Sequence, residues 1–193
     1  IFEQSISDIE EIKADIQAEE YNQQESKRKK EGIFYTPEYI TKYIVENSVG
    51  KYVEDIKEEL GFEQLPDINS ADSPQIQGKY KKMHLKFYNK YARRLRNIKI
   101  LDPACGSGAF LNQAFDYLLK EYKWIRNQRS LLEDNAMRID LQDKVLKHIL
   151  QDNLYGVDLN QESVEITKLS LWLKSANKNK PLANLDDNIK CGN

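Results

Sequence analysis

Residues 100–110 read Ile-Leu-Asp-Pro-Ala-Cys-Gly-Ser-Gly-Ala-Phe, an apolar approach to an acid followed by a small-residue turn with two glycines. A strand ending in Asp102, then Gly106 and Gly108, then a helical pattern, lets backbone N–H groups face a ligand at a helix N-terminus. In open α/β sheets ligands sit outside the carboxyl ends of the strands, where this turn falls. Phosphate chemistry fits poorly. A triphosphate-binding loop needs Gly-Lys-Ser/Thr, and Gly108 is followed by Ala109 and Phe110; a dinucleotide turn needs Gly or Ala where Leu111 stands. A tight strand-to-helix connection with no ligand is the other reading of the same residues.

A second acid gives the turn a partner. Asp158 closes the stretch Asn-Leu-Tyr-Gly-Val-Asp-Leu-Asn (153–160), and a carboxylate at a strand end can accept from both hydroxyls of a ribose. Such charge-assisted bonds are worth roughly 1.5–3 kcal/mol each. Alternatively, Asp158 or Asn160 caps the helix that begins near Gln161. The glycine turn and the acid are separated by far more than the roughly 20 residues of a simple dinucleotide unit, so the region near 124–150 reads as a helical insertion.

The elements that must position these groups alternate. The pattern predicts strands at 97–102, 153–160 and 188–193, with helices at 110–122 and 161–176 and two further helical stretches over 127–150. Strand, helix, strand, helix, strand predicts a parallel sheet with crossover helices. Residues 97–193 are thus read as the α/β part and residues 1–96 as a helical region. Within the latter, Ile6, Ile9, Ile12, Ile16 and Tyr21 predict an amphipathic helix over 3–30, with Ser7 or Asp8 as cap and Gly32 as its stop. Thr36 and Pro37 suit an N-cap and first helical position. Residues 61–78, rich in Gly, Pro, Asp, Asn and Ser, read as a loop. Residues 79–97 return to helix, with Lys and Arg interleaved among tyrosines. That face can follow a DNA backbone, or pack its aromatics inward and solvate its charges.

Composition sets outer limits. The 193 residues are 40% hydrophobic and 31% charged, with a formal net charge of −2, which excludes a uniformly basic nucleic-acid coat but not a local patch. Two cysteines make neither a disulfide framework nor a zinc spacing, and a reduced, cytoplasmic setting is expected. No stretch approaches the roughly 18 apolar residues of a membrane span. The ends, Ile1-Phe2 and Cys191-Gly192-Asn193, suggest a piece of a longer protein.

Four stretches together resemble a known family. Ile100–Leu111 resembles the S-adenosylmethionine motif of DNA methyltransferases that modify exocyclic amino groups, the N6-adenine and N4-cytosine class. Gly32–Val45 resembles the companion motif that precedes it in the gamma arrangement. Leu154–Leu173 is similar to the second-strand motif, and Leu185–Asn193 to the third. The likeness is strongest to large restriction-modification methylases with fused or associated nucleases.

The resemblance implies a Rossmann-like methyltransferase fold, partial at about three parallel strands, and S-adenosylmethionine as cofactor. Thr36 and Pro37 would contact the methionine portion, with Asp102 near its amino group. Ala104, Cys105, Gly106 and Gly108 would let the backbone approach the methionine and sugar. Asp158 would hold the ribose, Leu159 would stack on the adenine and Asn193 would reach its amino nitrogen. DNA is the implied partner of the parent protein, with adenine N6 as the implied target and no metal. The family's catalytic Asn/Asp-Pro-Pro-Tyr/Phe motif is missing, since no two of the five prolines are adjacent. This predicts that the chain alone transfers no methyl group. An open edge at the first strand predicts self-association. Methylation of RNA or protein, and a non-catalytic nucleoside-binding module of a defence assembly, are the rival readings.

Overall fold

The computed structural model describes residues 36–132, 141–176 and 182–192; the helix expected over 3–30, and Asn193, lie outside them. Helix α1 (Glu38–Val45) runs through a π-helical turn, Glu46–Gly50, into α2 (Lys51–Glu59). Across this turn Asn47 Nδ2 and Ser48 Oγ donate to the carbonyls of Tyr43 and Ile44. Single-turn π segments of this kind recur at functional sites. Here the turn brings Gly50 against the ring of Tyr117, where a Cβ would come within 3.1 Å of the phenol oxygen.

Two short 3-10 turns, Phe62–Gln64 and Ile68–Ser70, lead to the long helix α3 (Pro74–Arg96). This corrects the loop expected over 61–78. Ser73 Oγ accepts from Ile76 N–H and Pro74 takes the first helical position, so a Ser-Pro pair starts the helix five residues early. Composition had averaged a strong start signal into its polar surroundings. The start of α1 is also corrected: Pro37, at φ −54° and ψ 144°, is the residue before the helix, and Thr36 makes no side-chain cap. Proline's fixed φ suits both positions, and its extended ψ puts the first helical residue at Glu38.

The α/β part follows as β1 (Ile100–Asp102), α4 (Ala109–Leu132), α5 (Leu141–His148), a π-helical turn Ile149–Asn153, β2 (Leu154–Asp158), α6 (Gln161–Ser175) and β3 (Ile189–Cys191). The first of the two stretches expected over 127–150 is the continuation of α4, because Leu118, Glu121 and Ile125 keep one face buried well past residue 122. The strands are parallel in the order β1-β2-β3, with Asp102 level with Gly156 and Asp158 level with Cys191. Both acids therefore stand at the carboxyl edge of the sheet.

One core holds these layers. Phe87, Tyr91 and Leu95 of α3 share it with Leu111, Phe115 and Leu118 of α4, Leu154 of β2, Leu171 of α6 and Ile189 of β3. Tyr91 donates to Glu121 Oε2 at 2.7 Å, and Lys57 pairs with the same oxygen at 2.9 Å. Asn153 stitches the bottom of the sheet: its Nδ2 donates to the carbonyls of Leu95, Arg96 and Ile98. Among the described residues no helix is long and apolar enough to cross a membrane.

Candidate cofactor site

The turn between β1 and α4 is built on glycine conformations. Gly106 (φ 52°) and Gly108 (φ 84°) both sit in the left-handed region that side chains rarely adopt. Gly108 also lacks room, since a Cβ there would lie 2.8 Å from Thr167 Cγ2; at Gly106 it would meet nothing within 4 Å. The first glycine thus leaves open space above the turn, and the second lets α6 pack under it. Cys105 N–H donates to Val157 O at 2.9 Å, and Gly108 N–H to Cys105 O at 2.8 Å, which ties the loop to β2 and closes it on itself.

Asp158 is a brace for this loop. Its Oδ2 accepts from Gly106 N–H at 2.8 Å and its Oδ1 from Asn160 N–H at 2.9 Å. The capping alternative falls to its neighbour, because Asn160 Oδ1 accepts from Ser163 N–H at 2.7 Å and starts α6. Each Asp158 oxygen retains a second lone pair. Leu159 follows with 73% of its surface exposed. Cys191 Sγ donates to Leu159 O and Gly192 N–H to Asp158 O, so β3 fixes the far side of the same segment.

Asp102 faces the loop from β1. Its Oδ1 accepts from Ala104 N–H at 3.1 Å, whereas Oδ2 is buried and has no hydrogen-bond partner. Burial pushes its carboxyl above the ordinary range; the Ala104 N–H opposes this and the negative charge of Asp158 adds to it. Cys105 is buried, and burial, with the charges of Asp102 and Asp158, pushes its thiol up to about 11. It is a packing residue rather than a nucleophile at neutral pH.

Beside Asp102 a groove of about 270 Å³ runs along the free edge of β1. Its walls are Ile44, Val45, Ser48 and Val49 from α1 and the π-helical turn, and Phe110, Leu111 and Ala114 from α4. Gln113 Nε2 donates to Glu38 Oε1, so α1 begins against the first turn of α4. Thr36 and Pro37, directly before α1, are half-buried there. The structure thus brings Asp102, Ala104, Cys105, Gly106, Gly108, Asp158 and Leu159 to one loop cluster, while Thr36 and Pro37 precede α1, whose Glu38 meets Gln113 of α4.

Two groups in this cluster escaped the sequence reading. Thr167 Oγ1 donates to Gly106 O at 2.8 Å, and Asn112 Nδ2 donates to Gly108 O and to Ser170 Oγ. The signal for Thr167 was present: Val164, Thr167, Lys168 and Leu171 form the buried stripe of α6. A polar residue on such a stripe needs a partner. Among the described residues no cluster of metal-ligating side chains occurs.

Parallel strands, a glycine turn after the first and an acid after the second define a Rossmann-like methyltransferase fold, present in part. Residues 75–190 match the model of the MmeI DNA-methyltransferase domain, and the chain belongs to that family. Curated relatives agree. The Methanocaldococcus jannaschii protein named "Putative type II restriction enzyme and methyltransferase RM.MjaORFECS2P" is 34% identical over 180 residues, covering 84% of this chain and 14% of its own length. Adenine-specific methyltransferase PglX of Lacticaseibacillus casei is 28% identical over 149 residues, covering 76% of this chain and 11% of its own. The type II restriction enzyme and methyltransferase Eco57I of Escherichia coli is 34% identical over 110 residues, covering 50% and 11% respectively. The chain therefore spans only a small part of each of these relatives.

Proposed function

We propose that this chain is the S-adenosylmethionine-binding part of a cytoplasmic DNA methyltransferase that modifies an exocyclic amino group, adenine N6 above all, within a restriction-modification system. One observation carries the reading. The glycine turn is clamped to Asp158 at one side and tied through Ala104 N–H to Asp102 at the other, whose buried Oδ2 lacks a partner. That oxygen suits the ammonium of a methionine tail, and the free lone pairs of Asp158 suit two ribose hydroxyls. Open space at Gly106 admits a ligand against the backbone, and exposed Leu159 offers a flat apolar contact for a purine. A triphosphate would meet two carboxylates and no cation of the turn. The name of one relative, the adenine-specific methyltransferase PglX, supports the amino-group target.

When bound, the cofactor supplies an electrophilic methyl on sulfur. The residues of this chain hold and orient it. Asp102 neutralises the ammonium, Asp158 fixes the sugar, the glycine turn packs under the tail, and Thr36, Pro37 and Asn193 complete the contacts at its two ends. Because the 193 residues contain no Pro-Pro pair, the chain by itself binds donor without transferring methyl to DNA.

Calorimetry with S-adenosylmethionine tests the site. Asp158→Ala lowers affinity about 10–100-fold, the worth of about one charge-assisted hydrogen bond. Thr167→Val is the companion variant, since it loosens the turn at Gly106 and removes none of the proposed ligand contacts. It weakens binding less than Asp158→Ala does. Equal affinity of wild type and Asp158→Ala would overturn the assignment.

A further inference from the structure

Helix α3 carries Lys79, Lys81, Lys82, Lys86, Lys90, Arg93, Arg94 and Arg96 and contains no acidic residue, within a chain of net charge −2. Five of these cations, Lys79, Lys82, Lys86, Lys90 and Arg93, recur at spacings of three and four, which places them on one face. All five are exposed. Phe87, Tyr88, Tyr91 and Leu95 occupy the opposite face and are buried. Arg94, on neither face, is paired with Glu59 at 2.8 Å. Among the described residues the five stripe cations make no ion pair or side-chain hydrogen bond. Uncompensated like charges along one helix face repel one another and destabilise the isolated helix. The aromatic core beneath them offsets that cost, so the stripe is held by packing rather than by its own charge pattern.

We infer that this stripe is a DNA-contacting surface, one that follows the phosphate backbone away from the cofactor site. From Lys79 to Arg93 it runs about 21 Å along a straight helix, at about 1.5 Å per residue. Over that length one strand of a duplex presents about six phosphates at about 3.4 Å each. The composition points the same way. Protein interfaces are depleted in lysine and centre on aromatic and apolar anchors, whereas this face is four lysines and an arginine with its aromatics turned inward. The location separates it from the methyl-donor pocket: Tyr91 meets Glu121 and Tyr88 meets Gln128, so α3 lies along the far half of α4. The DNA identity of the polyanion rests on the methyltransferase reading, whereas the charge geometry stands without it.

The test uses the whole chain with a fluorescein-labelled 24-base-pair duplex, titrated by anisotropy from 50 to 200 mM KCl. Five phosphate contacts give a log–log salt slope of about −4 to −5, at about −0.9 per contact. Lys82→Gln/Lys86→Gln/Lys90→Gln flattens the slope by about 2.7 and weakens binding at 50 mM KCl at least tenfold, while affinity for S-adenosylmethionine stays as in wild type and the melting temperature does not fall. Lys123→Gln/Lys144→Gln/Lys147→Gln, three exposed lysines off the stripe, leaves most of the slope in place. Unchanged duplex affinity in the stripe variant, or equal losses in both triple variants, would overturn the inference. Displacement of the duplex by polyglutamate or by phosphatidylserine vesicles at equal charge would also overturn it, in favour of an acidic protein or a membrane surface. Failure of wild type to bind S-adenosylmethionine strikes only the methyl-donor reading, because duplex binding is measured separately.

Discussion

Asp102 pays in stability for its position. Its Oδ2 is buried without a partner and its carboxyl is raised above the ordinary range, by burial first. A carboxyl whose folded pKa lies above its unfolded value binds its proton more tightly in the fold. Stability is then fullest below the ordinary carboxylate range and falls as pH rises through the elevated value. Asp102→Asn removes that pH dependence and the repulsion from Asp158. The ligand-free variant is expected to melt higher at pH 7 than wild type, with the two curves converging toward pH 4, as thermal scans across that range will show. The same substitution costs the ammonium its counter-charge, so affinity for S-adenosylmethionine drops by about tenfold or more. A stabilised variant with reduced binding is the mark of a group kept for a ligand.

Single side chains decide how the elements meet. Asn153, completely buried, ends the π-helical turn before β2, and its amide spans the carbonyls that close α3 and begin the approach to β1. Asn153→Ala takes the side-chain donor from the buried carbonyl of Ile98 and from those of Leu95, which keeps Ile98 N–H, and Arg96. The expected loss is about 2–4 kcal/mol in urea unfolding, from a buried network left unsatisfied. A comparable role falls to Lys168, nearly buried on α6, which reaches Asp186 at 2.8 Å and Glu165 at 3.2 Å and holds the segment leading to β3. Trp172 Nε1 secures the same segment through Ala183 O. The acid and the glycine turn stay in register with each other because these ties fix β2 between its two neighbours.

At the scale of the whole molecule the free edge of β1 stands out. Among the described residues β1 pairs only with β2, and Leu101 at its centre is 61% exposed beside the apolar groove lined by α1 and α4. Unprotected edges with an apolar side chain invite strand pairing. We expect the chain to associate with a second copy in a concentration-dependent way in sedimentation velocity, and Leu101→Lys to shift it toward monomer. A monomer at every concentration would show that the edge is covered within the chain.

Much of this arrangement was legible in the residues. Short apolar stretches alternating with helical periods indicated the order of strands and helices, and Gly106, Gly108 and Asp158 marked the carboxyl end of the sheet. Local chemistry determines such features: a turn whose residues take positive φ needs glycine. Tertiary structure decided what depends on neighbours far along the chain. It assigned the cap of α6 to Asn160 and the brace of the turn to Asp158, because only the fold sets Gly106 N–H against that carboxylate. It gave Thr167 its task under the turn and left Asp102 with an unpaired oxygen. It also turned the aromatics of α3 inward and its lysines out, since packing against α4 selects the face. Pattern fixes which elements form; the packing of distant elements fixes which polar atoms are satisfied within the chain and which are not.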